Sequence, residues 1–407
     1  MPDTRVLRSE VIEMVMRPGG REIETIVTRS PGRLEFTPNH PGPRHRQMEG
    51  EQFTIQYGQR NMVRSFRSNN VHTRSEPVRP SDPPSQTWSK EMQAEFDPKT
   101  GQMSKMHQWN DFRYEEGVRR AVAKDALLDQ DSSKMTLTAA ARVWDTSGST
   151  SADAIHMDQN AGSFTADGHV STSRLPDKDK KQASSDLLSG DEPIQATAQR
   201  MISNNHNSYI RYDGKAYMWQ GANRIRAERI EIDREAQRLV AYGAVETELK
   251  QKEKENQDGV AKTPPAPVFT VVKSTGLIYT DSDRLAYYTG GVVLTRPNMR
   301  VKAVELRSYL SEAGSDNSLE RSYADGKVEV QQITPQRTRT GTSEHAEYYV
   351  ADDKIVLRGG APALVDSVKG NTHGAELTYF AGDDRLFVNG ASPQQPANSR
   401  LRKKHVQ

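Results

Sequence analysis

The chain of 407 residues has no cysteine. Disulfides and thiolate metal sites are therefore excluded. No run of about 18 apolar residues occurs, so no helix long enough to span a bilayer is expected. Apolar residues are scarce as well. They make up 34% of the chain, where a compact globule carries about 45–50%. An excess of one charge is also missing. The 56 basic and 54 acidic residues leave a net charge of +2, which argues against a dedicated nucleic-acid binder. The start, Met1-Pro2-Asp3-Thr4-Arg5, has no apolar h-region and does not read as a signal peptide. An exported protein with this start would be a mature form, a fragment or the product of a misplaced start.

Catalytic and metal-binding patterns are missing too. The ten histidines are scattered. The nearest two, His40 and His45, stand in a proline-rich loop, and no pair has the i, i+4 spacing of a helical metal site. There is no Gly-x-Ser-x-Gly elbow and no phosphate-cradling glycine loop. The acid pairs Asp281/Asp283, Asp352/Asp353 and Asp383/Asp384 each fall midway between two strands and read as turn residues. Gly290-Gly291 and Gly359-Gly360 read as strand ends. No cofactor, metal or catalytic residue is expected.

Helical periodicity is rare, and short alternating runs dominate. Gln52–Tyr57, Arg229–Asp233 and Lys327–Gln331 each alternate apolar with polar side chains. That alternation gives a strand one dry face and one wet face. Turn chemistry separates the runs, as at Asp97-Pro98-Lys99-Thr100-Gly101. Residues 74–90, 173–200, 250–267 and 311–319 are too polar or too proline-rich for strands and read as loops or disordered insertions. Val118–Leu128 fits a short helix, but Ala123 fits the strand register of the repeat below.

A unit recurs along the chain. An alanine-acid pair opens it, a strand and a turn follow, and an apolar residue then stands four before a small one. Ala227-Glu228 leads to Leu239 and Gly243, and Ala152-Asp153 leads to Phe164 and Gly168. Ala346-Glu347 leads to Ile355 and Gly359, and Ala375-Glu376 leads to Leu386 and Gly390. Looser copies surround Ala123, Ala286 and Phe66. Each unit is two strands that cannot bury an apolar face alone, so units must stack. Glycine ending the second strand would let the chain bend from one sheet into a facing one. The expected fold is all-β, long and thin, and a thin interior accounts for the low apolar content.

The C-terminal third resembles the OstA-like domain of the LptA/LptC lipopolysaccharide-transport family. The resemblance rests on an ordered series: Asp283–Leu294 with Gly290-Gly291-Val292-Val293-Leu294, then Lys302–Leu306 and Tyr323–Val328. Gly341–Gly359 and Gly374–Tyr379 follow. It covers about 275–392 and extends by the repeat to about 92–248. Arg21–Val71 looks more like the membrane-anchored LptC component, through Ile23, Phe36-Thr37-Pro38 and Gly50–Phe53.

The resemblance implies a half-open β-jelly roll, elongated, with disordered polar loops. Its domains would be 1–90 (LptC-like), 91–250 (OstA-like repeats), a linker at 251–270, 271–392 (LptA/OstA-like jelly roll) and a disordered basic tail at 393–407. It implies a periplasmic, non-catalytic bridge that moves lipopolysaccharide from the inner to the outer membrane, with lipid A acyl chains between two sheets. Partners would be the other Lpt components, the inner-membrane transporter on one side and LptD on the other, joined through edge strands. Head-to-tail self-association would use the same edges, and nucleic acid is not a partner. The expected groove residues are Tyr217, Trp219, Ile230, Ile232, Leu277, Tyr279, Val328, Val330, Leu377, Tyr379, Leu386 and Val388. Two other readings remain open: a structural or adhesive β-solenoid without lipid, and a polysaccharide-acting enzyme on a β-helix. The basic run Arg400–Lys404 would meet anionic lipid or stay solvated.

Overall fold

The computed structural model describes residues 3–39, 44–77, 79–158, 160–175, 192–204, 207–250, 268–311, 319–392 and 394–401. Among them are 28 β-strands and one 3₁₀ turn, Gln59–Asn61, with no α-helix. Every pairing described is antiparallel, as between β-strands joined by short turns. The chain divides into two compact units, Met1–Arg174 with Ala198–Asn207, and Leu175–Thr197 with Ser208–Gln407.

The first short strands are β1 (Asp3–Ser9), β2 (Ile12–Met16), β3 (Ile23–Thr28), β4 (Gly32–Pro38), β5 (Arg46–Gly50) and β6 (Gln52–Tyr57). Long strands follow: β7 (Val63–Ser75), β8 (Ser85–Phe96), β9 (Met103–Glu116) and β10 (Arg119–Asp129). Next come β11 (Lys134–Asp145), β12 (Gly148–Asp158), β13 (Ser163–Arg174) and β14 (Ile194–Asn204). The long strands continue with β15 (Tyr209–Gln220), β16 (Asn223–Asp233), β17 (Arg238–Lys250) and β18 (Phe269–Thr280). The last of them are β19 (Leu285–Arg296), β20 (Met299–Leu310), β21 (Leu319–Thr334) and β22 (Arg337–Tyr349). Short strands close the chain: β23 (Lys354–Arg358), β24 (Ala363–Asp366), β25 (Gly370–His373), β26 (Glu376–Phe380), β27 (Arg385–Asn389) and β28 (Asn398–Leu401).

The long strands run 11 to 16 residues, well above the usual five or six. They reach that length because each turns a corner near its middle. From β9 through β21 the odd-numbered strands place two consecutive residues at positive φ there: Asn110-Asp111, Ala139-Ala140, Gly168-His169, Gly214-Lys215, Gly243-Ala244, Gly290-Gly291 and Gly326-Lys327. The first three pairs are spaced 29 residues apart, and so are Gly214 and Gly243. The register slips at the same level in the described ladders from β8–β9 to β21–β22, for example between Arg226 and Arg229. Gly168, Gly243 and Gly290-Gly291 thus lie inside strands, not at their ends as the sequence suggested, whereas Gly359 and Gly390 do follow the ends of β23 and β27. A β-bulge bends its strand where it stands, so one strand can serve two sheets. Gly290 shows why glycine is needed. Its φ is +81°, and an added Cβ would fall 1.5 Å from Thr275 Oγ1.

Each corner divides its ladder into two half-sheets. Half-sheet A holds the N-terminal halves of odd strands and the C-terminal halves of even strands, and half-sheet B holds the rest. At the outer ends the halves separate. β7 pairs through Val63–Asn69 with β6 and through His72–Ser75 with β5. Half-sheet A then continues β6–β3–β2, and half-sheet B continues β5–β4–β1. The second unit mirrors this. β22 pairs through His345–Tyr349 with β23 and through Arg339–Thr342 with β24. From there half-sheet A runs β23–β26–β27 and half-sheet B runs β24–β25–β28. Neither unit closes into a barrel in the pairings described. β1, β2, β27 and β28 each have one partner.

Several expected loops are strands. Residues 74–75 and 85–90 lie in β7 and β8, 173–174 and 194–200 in β13 and β14, and 250 and 319 in β17 and β21. Val118–Leu128 is not a helix, since β10 runs through it. The tail expected to be disordered contains β28, paired with β25. The other residues of those stretches at 176–191, 251–267, 312–318 and 402–407 lie outside the described residues, as do His40 and Val78.

Candidate functional site

The half-sheets face each other, and their inner surfaces form one apolar layer in each unit. In the first unit Phe36 of half-sheet B meets Phe66 of half-sheet A with ring centroids 6.3 Å apart. Phe53, Met92 and Ile55 join the same core. In the second unit Thr247 Oγ1 on β17 and Tyr288 OH on β19 lie 2.9 Å apart across the layer. Burial raises the Tyr288 phenol to about 12, partly offset by that hydrogen bond. A Cβ on Gly341 would meet Leu357 of the facing half-sheet at 2.6 Å, so the halves touch.

Inward parity behaves differently in the two strand sets. Odd strands keep it through the corner: Ala286 and Tyr288, then Val292 and Leu294, are all buried. Even strands exchange it: Val272 and Ser274 are buried, then Leu277 and Tyr279. A one-residue shift sends every later side chain to the other face, so a single period of two cannot be carried along an even strand.

The twelve expected groove residues divide accordingly. Ile230, Leu277, Tyr279, Val328, Val330, Leu377 and Tyr379 are buried in the layer. Ile232, Leu386 and Val388 are half-buried. Leu386 stands opposite Tyr379, and Val388 opposite Leu377, on one shared face. Tyr217 and Trp219 are corrections. They share a face, but it is the outer one, because Ala216, Met218 and Gln220 occupy the inward positions of β15. The two rings stack at 4.9 Å, and the Arg226 guanidinium lies 4.9 Å from the Tyr217 centroid. In this half of β15 the small and unbranched side chains face inward and the two rings face out.

The layer is tight. One apolar cleft, between Leu294, Val301, Leu306, Ala324, Val330 and Ile355, has a volume of about 20 Å³, roughly the space of one water molecule. Polar side chains also lie inside, paired to each other: Thr73 with Thr87 at 2.6 Å and Ser308 with Ser322 at 3.1 Å.

Away from the corners the half-sheets end in two rows of turns, and arginines on the B row reach the A row. Arg296, at the end of β19, donates to Tyr348 OH at 2.8 Å, and that hydroxyl donates to Asp353 at 3.1 Å. A larger cluster stands at the C-terminal end. Arg337 and Arg339 on β22 both donate to Asp366 of β24. Asp366 also accepts from the backbone N–H groups of Val368 and Lys369. Burial alone would raise the Asp366 carboxyl, but these donors overcome it and hold the group far below the usual carboxylate range. Asp384, on the β26–β27 turn, accepts from Arg337 and Lys369 at 2.8 Å each, and from Arg339. Burial works against its ionised form too, yet Lys369 and the two arginines lower it to about 2.

Sequence reasoning passed over these basic residues. The spacing of two between Arg337 and Arg339, which gives them one strand face, was the only available signal. Among the described residues no group of three or more His, Asp or Glu could hold a metal ion. No helix there is long and apolar enough to cross a membrane.

Antiparallel strands with regularly spaced corners, an apolar layer between half-sheets and free edge strands define an open β-repeat protein. Its sequence matches the family described as LptA/(LptD N-terminal domain) LPS transport protein over residues 165–262 and 271–384, more than half of the chain. The chain belongs to that lipopolysaccharide-transport family. Among solved structures it is similar to LptH, the LptA homologous periplasmic component of the lipopolysaccharide transport device of Pseudomonas aeruginosa. That similarity has 15% identity and a TM-score of 0.29, over 33% of this chain and 95% of that one. A likeness at that score is too loose to transfer any feature. A search of curated proteins finds no match.

Proposed function

We propose that the chain is a non-catalytic periplasmic carrier of lipopolysaccharide, with the acyl chains held between the half-sheets of a half-open β-jelly roll. The observation that carries this reading is the apolar layer bounded by corners on one side and, on the other, by two rows of turns joined by side chains alone among the described residues. In a member of this transport family, such a layer offers acyl chains an apolar host with an exit for sugars. Burial of each methylene is worth roughly 0.8 kcal/mol, so several acyl chains bind without specific polar contacts. Directional movement then needs an external drive, such as an inner-membrane transporter.

Partners of the same system would add strands at the edges. β2 suits this, since Ile12, Met14 and Met16 on it are 41–51% exposed and an uncovered apolar edge invites pairing. β27 and β28 offer further edges in the second unit. In this reading residues 1–90 act as the LptC-like segment, 91–250 and 271–392 as OstA-like repeats with a linker at 251–270, and the basic tail contacts anionic headgroups.

A photo-crosslinking residue at Leu386 tests the groove. It should capture lipopolysaccharide, and the same residue at Phe387, 53% exposed on the opposite face, should not. The narrow cleft favours a second reading, a closed structural scaffold. Capture from neither position would support it, and equal capture from both would indicate nonspecific adhesion.

A further inference from the structure

The cluster at the C-terminal turn rows is unbalanced. Among the described residues Arg337, Arg339 and Lys369 pair with two carboxylates, Asp366 and Asp384, and Arg339 also donates to Gln332 Oε1 and the Tyr379 hydroxyl. The two carboxylates play different parts. Asp366 is 5% exposed and belongs to the same half-sheet as the arginines. Asp384 comes from the other half-sheet, on a turn, at φ +57°, with its side chain 42% exposed. Four donors converge on it: two guanidiniums, an ammonium and the Tyr379 hydroxyl at 3.4 Å. The neighbouring Asp383 pairs with Arg385 instead.

We propose that Arg337, Arg339 and Lys369 form a binding site for the phosphate monoester of a lipid headgroup, which Asp384 occupies as an internal stand-in. Three phosphate oxygens suit this set of donors better than one carboxylate does, because guanidiniums bind phosphate through paired, charge-assisted hydrogen bonds. Without Asp384 the cluster holds three cations and one carboxylate. Arg339 is 9% exposed, and a buried cation short of counter-charge is costly, so the site demands an anion. The exchange also has a mechanical consequence. Asp384 ties the β26–β27 turn of half-sheet A to the β24–β25 turn of half-sheet B. Phosphate in its place releases that tie and opens the edge beside Tyr379 and Leu386. A headgroup phosphate would thereby unlatch the layer its own acyl chains enter. The inference rests on the lipid-carrier reading, and the test separates the two.

Calorimetry with inorganic phosphate compares wild type, Asp384→Asn and the double variant Asp384→Asn/Lys369→Gln. Asparagine tolerates positive φ, so the turn is kept, and melting curves check folding. Asp384→Asn should bind phosphate about tenfold tighter than wild type, and loss of Lys369 should reverse most of that gain. Lys369→Gln alone keeps both carboxylates and serves if Asp384→Asn fails to fold. It should bind phosphorylated lipid A micelles severalfold more weakly than wild type and dephosphorylated lipid A equally well. Folded Asp384→Asn that binds phosphate no better than wild type overturns the site, as does Lys369→Gln that leaves phosphorylated lipid binding unchanged. Inorganic phosphate binding as tightly as phosphorylated lipid A would overturn the lipid source. Loss of Leu386 crosslinking to dephosphorylated lipid A, with phosphate binding intact, would count against the carrier reading and leave the anion site standing.

Discussion

Strands β10–β14 and strands β15–β22 share one corner pattern but fill the layer differently. In β10–β14 the buried inward positions include Ala121, Ala126, Ala141, Ala152, Ala166 and Ala196, with Leu137 and Ile155 among the few larger ones. In β15–β22 they include Tyr212, Ile230, Leu277, Tyr279, Tyr288 and Leu306. A buried leucine or phenylalanine adds roughly 1.5–3 kcal/mol and each methylene about 0.8, so an alanine contributes far less. The alanine-lined strands therefore depend more on their ladders. The bulky strands depend on burial as well. The corner and the filling are thus separable properties: backbone conformation sets the bend, and side-chain volume sets what lies between the halves.

The comparison can be broken at its strongest point first. Tyr288→Ala removes a fully buried ring and leaves Thr247 without its partner, so urea unfolding should show a loss of about 3–5 kcal/mol. A loss below 1 kcal/mol would mean the bulky layer is not tightly packed. Ala141→Leu should also destabilise, by about 1–3 kcal/mol, because it adds volume where the layer is thin. A neutral or stabilising result would show spare room between the alanine-lined halves, and the contrast in filling would then favour that stretch as the groove. Gly290→Ala should cost about 1–3 kcal/mol from positive φ and the contact with Thr275.

Acid stability sharpens the contrast further. Asp366 and Asp384 are both depressed in the folded protein. Their stabilisation is present above the unfolded carboxylate value near 4 and is lost as pH falls through the folded values. Melting temperatures of wild type should drop between pH 4 and 2, and Asp384→Asn should show a shallower drop there. The smallest effect is expected at Ala140, held at φ +59° and exposed. Ala140→Gly should stabilise by about 0.5–1 kcal/mol, since glycine adopts that conformation without strain. A destabilised Ala140→Gly would mean the Ala139-Ala140 corner is not strained.

Much of the strand layout was legible. Gln52–Tyr57 is β6 with the same bounds, and Phe53 and Ile55 are its buried face. The turn at Asp97 is held by that side chain accepting from the N–H groups of Lys99 and Thr100. The missed strands share a cause. Ser85–Lys90 looked like loop because its inward residues are polar, yet Thr87 is satisfied by Thr73 and Ser89 accepts from Gln108. Residues 194–200 looked like loop because their inward residues are the alanines 196 and 198. Hydrophobic alternation sees neither a paired polar interior nor a small one.

Composition, alternation and the recurring alanine-acid and glycine spacing determined by themselves that the chain is a β-repeat protein, since period-two patterning and left-handed residues are local properties. Tertiary structure decided which face of each strand points inward, because the corners change parity on alternate strands. It also decided where glycine acts, in mid-strand beside a side chain such as Thr275 or Asp153 on the neighbouring strand. The cationic cluster was settled only there, because Arg339, Asp366 and Asp384 stand 27 and 45 positions apart in the chain. Only the folding of two half-sheets toward each other brings their turn rows within hydrogen-bond reach.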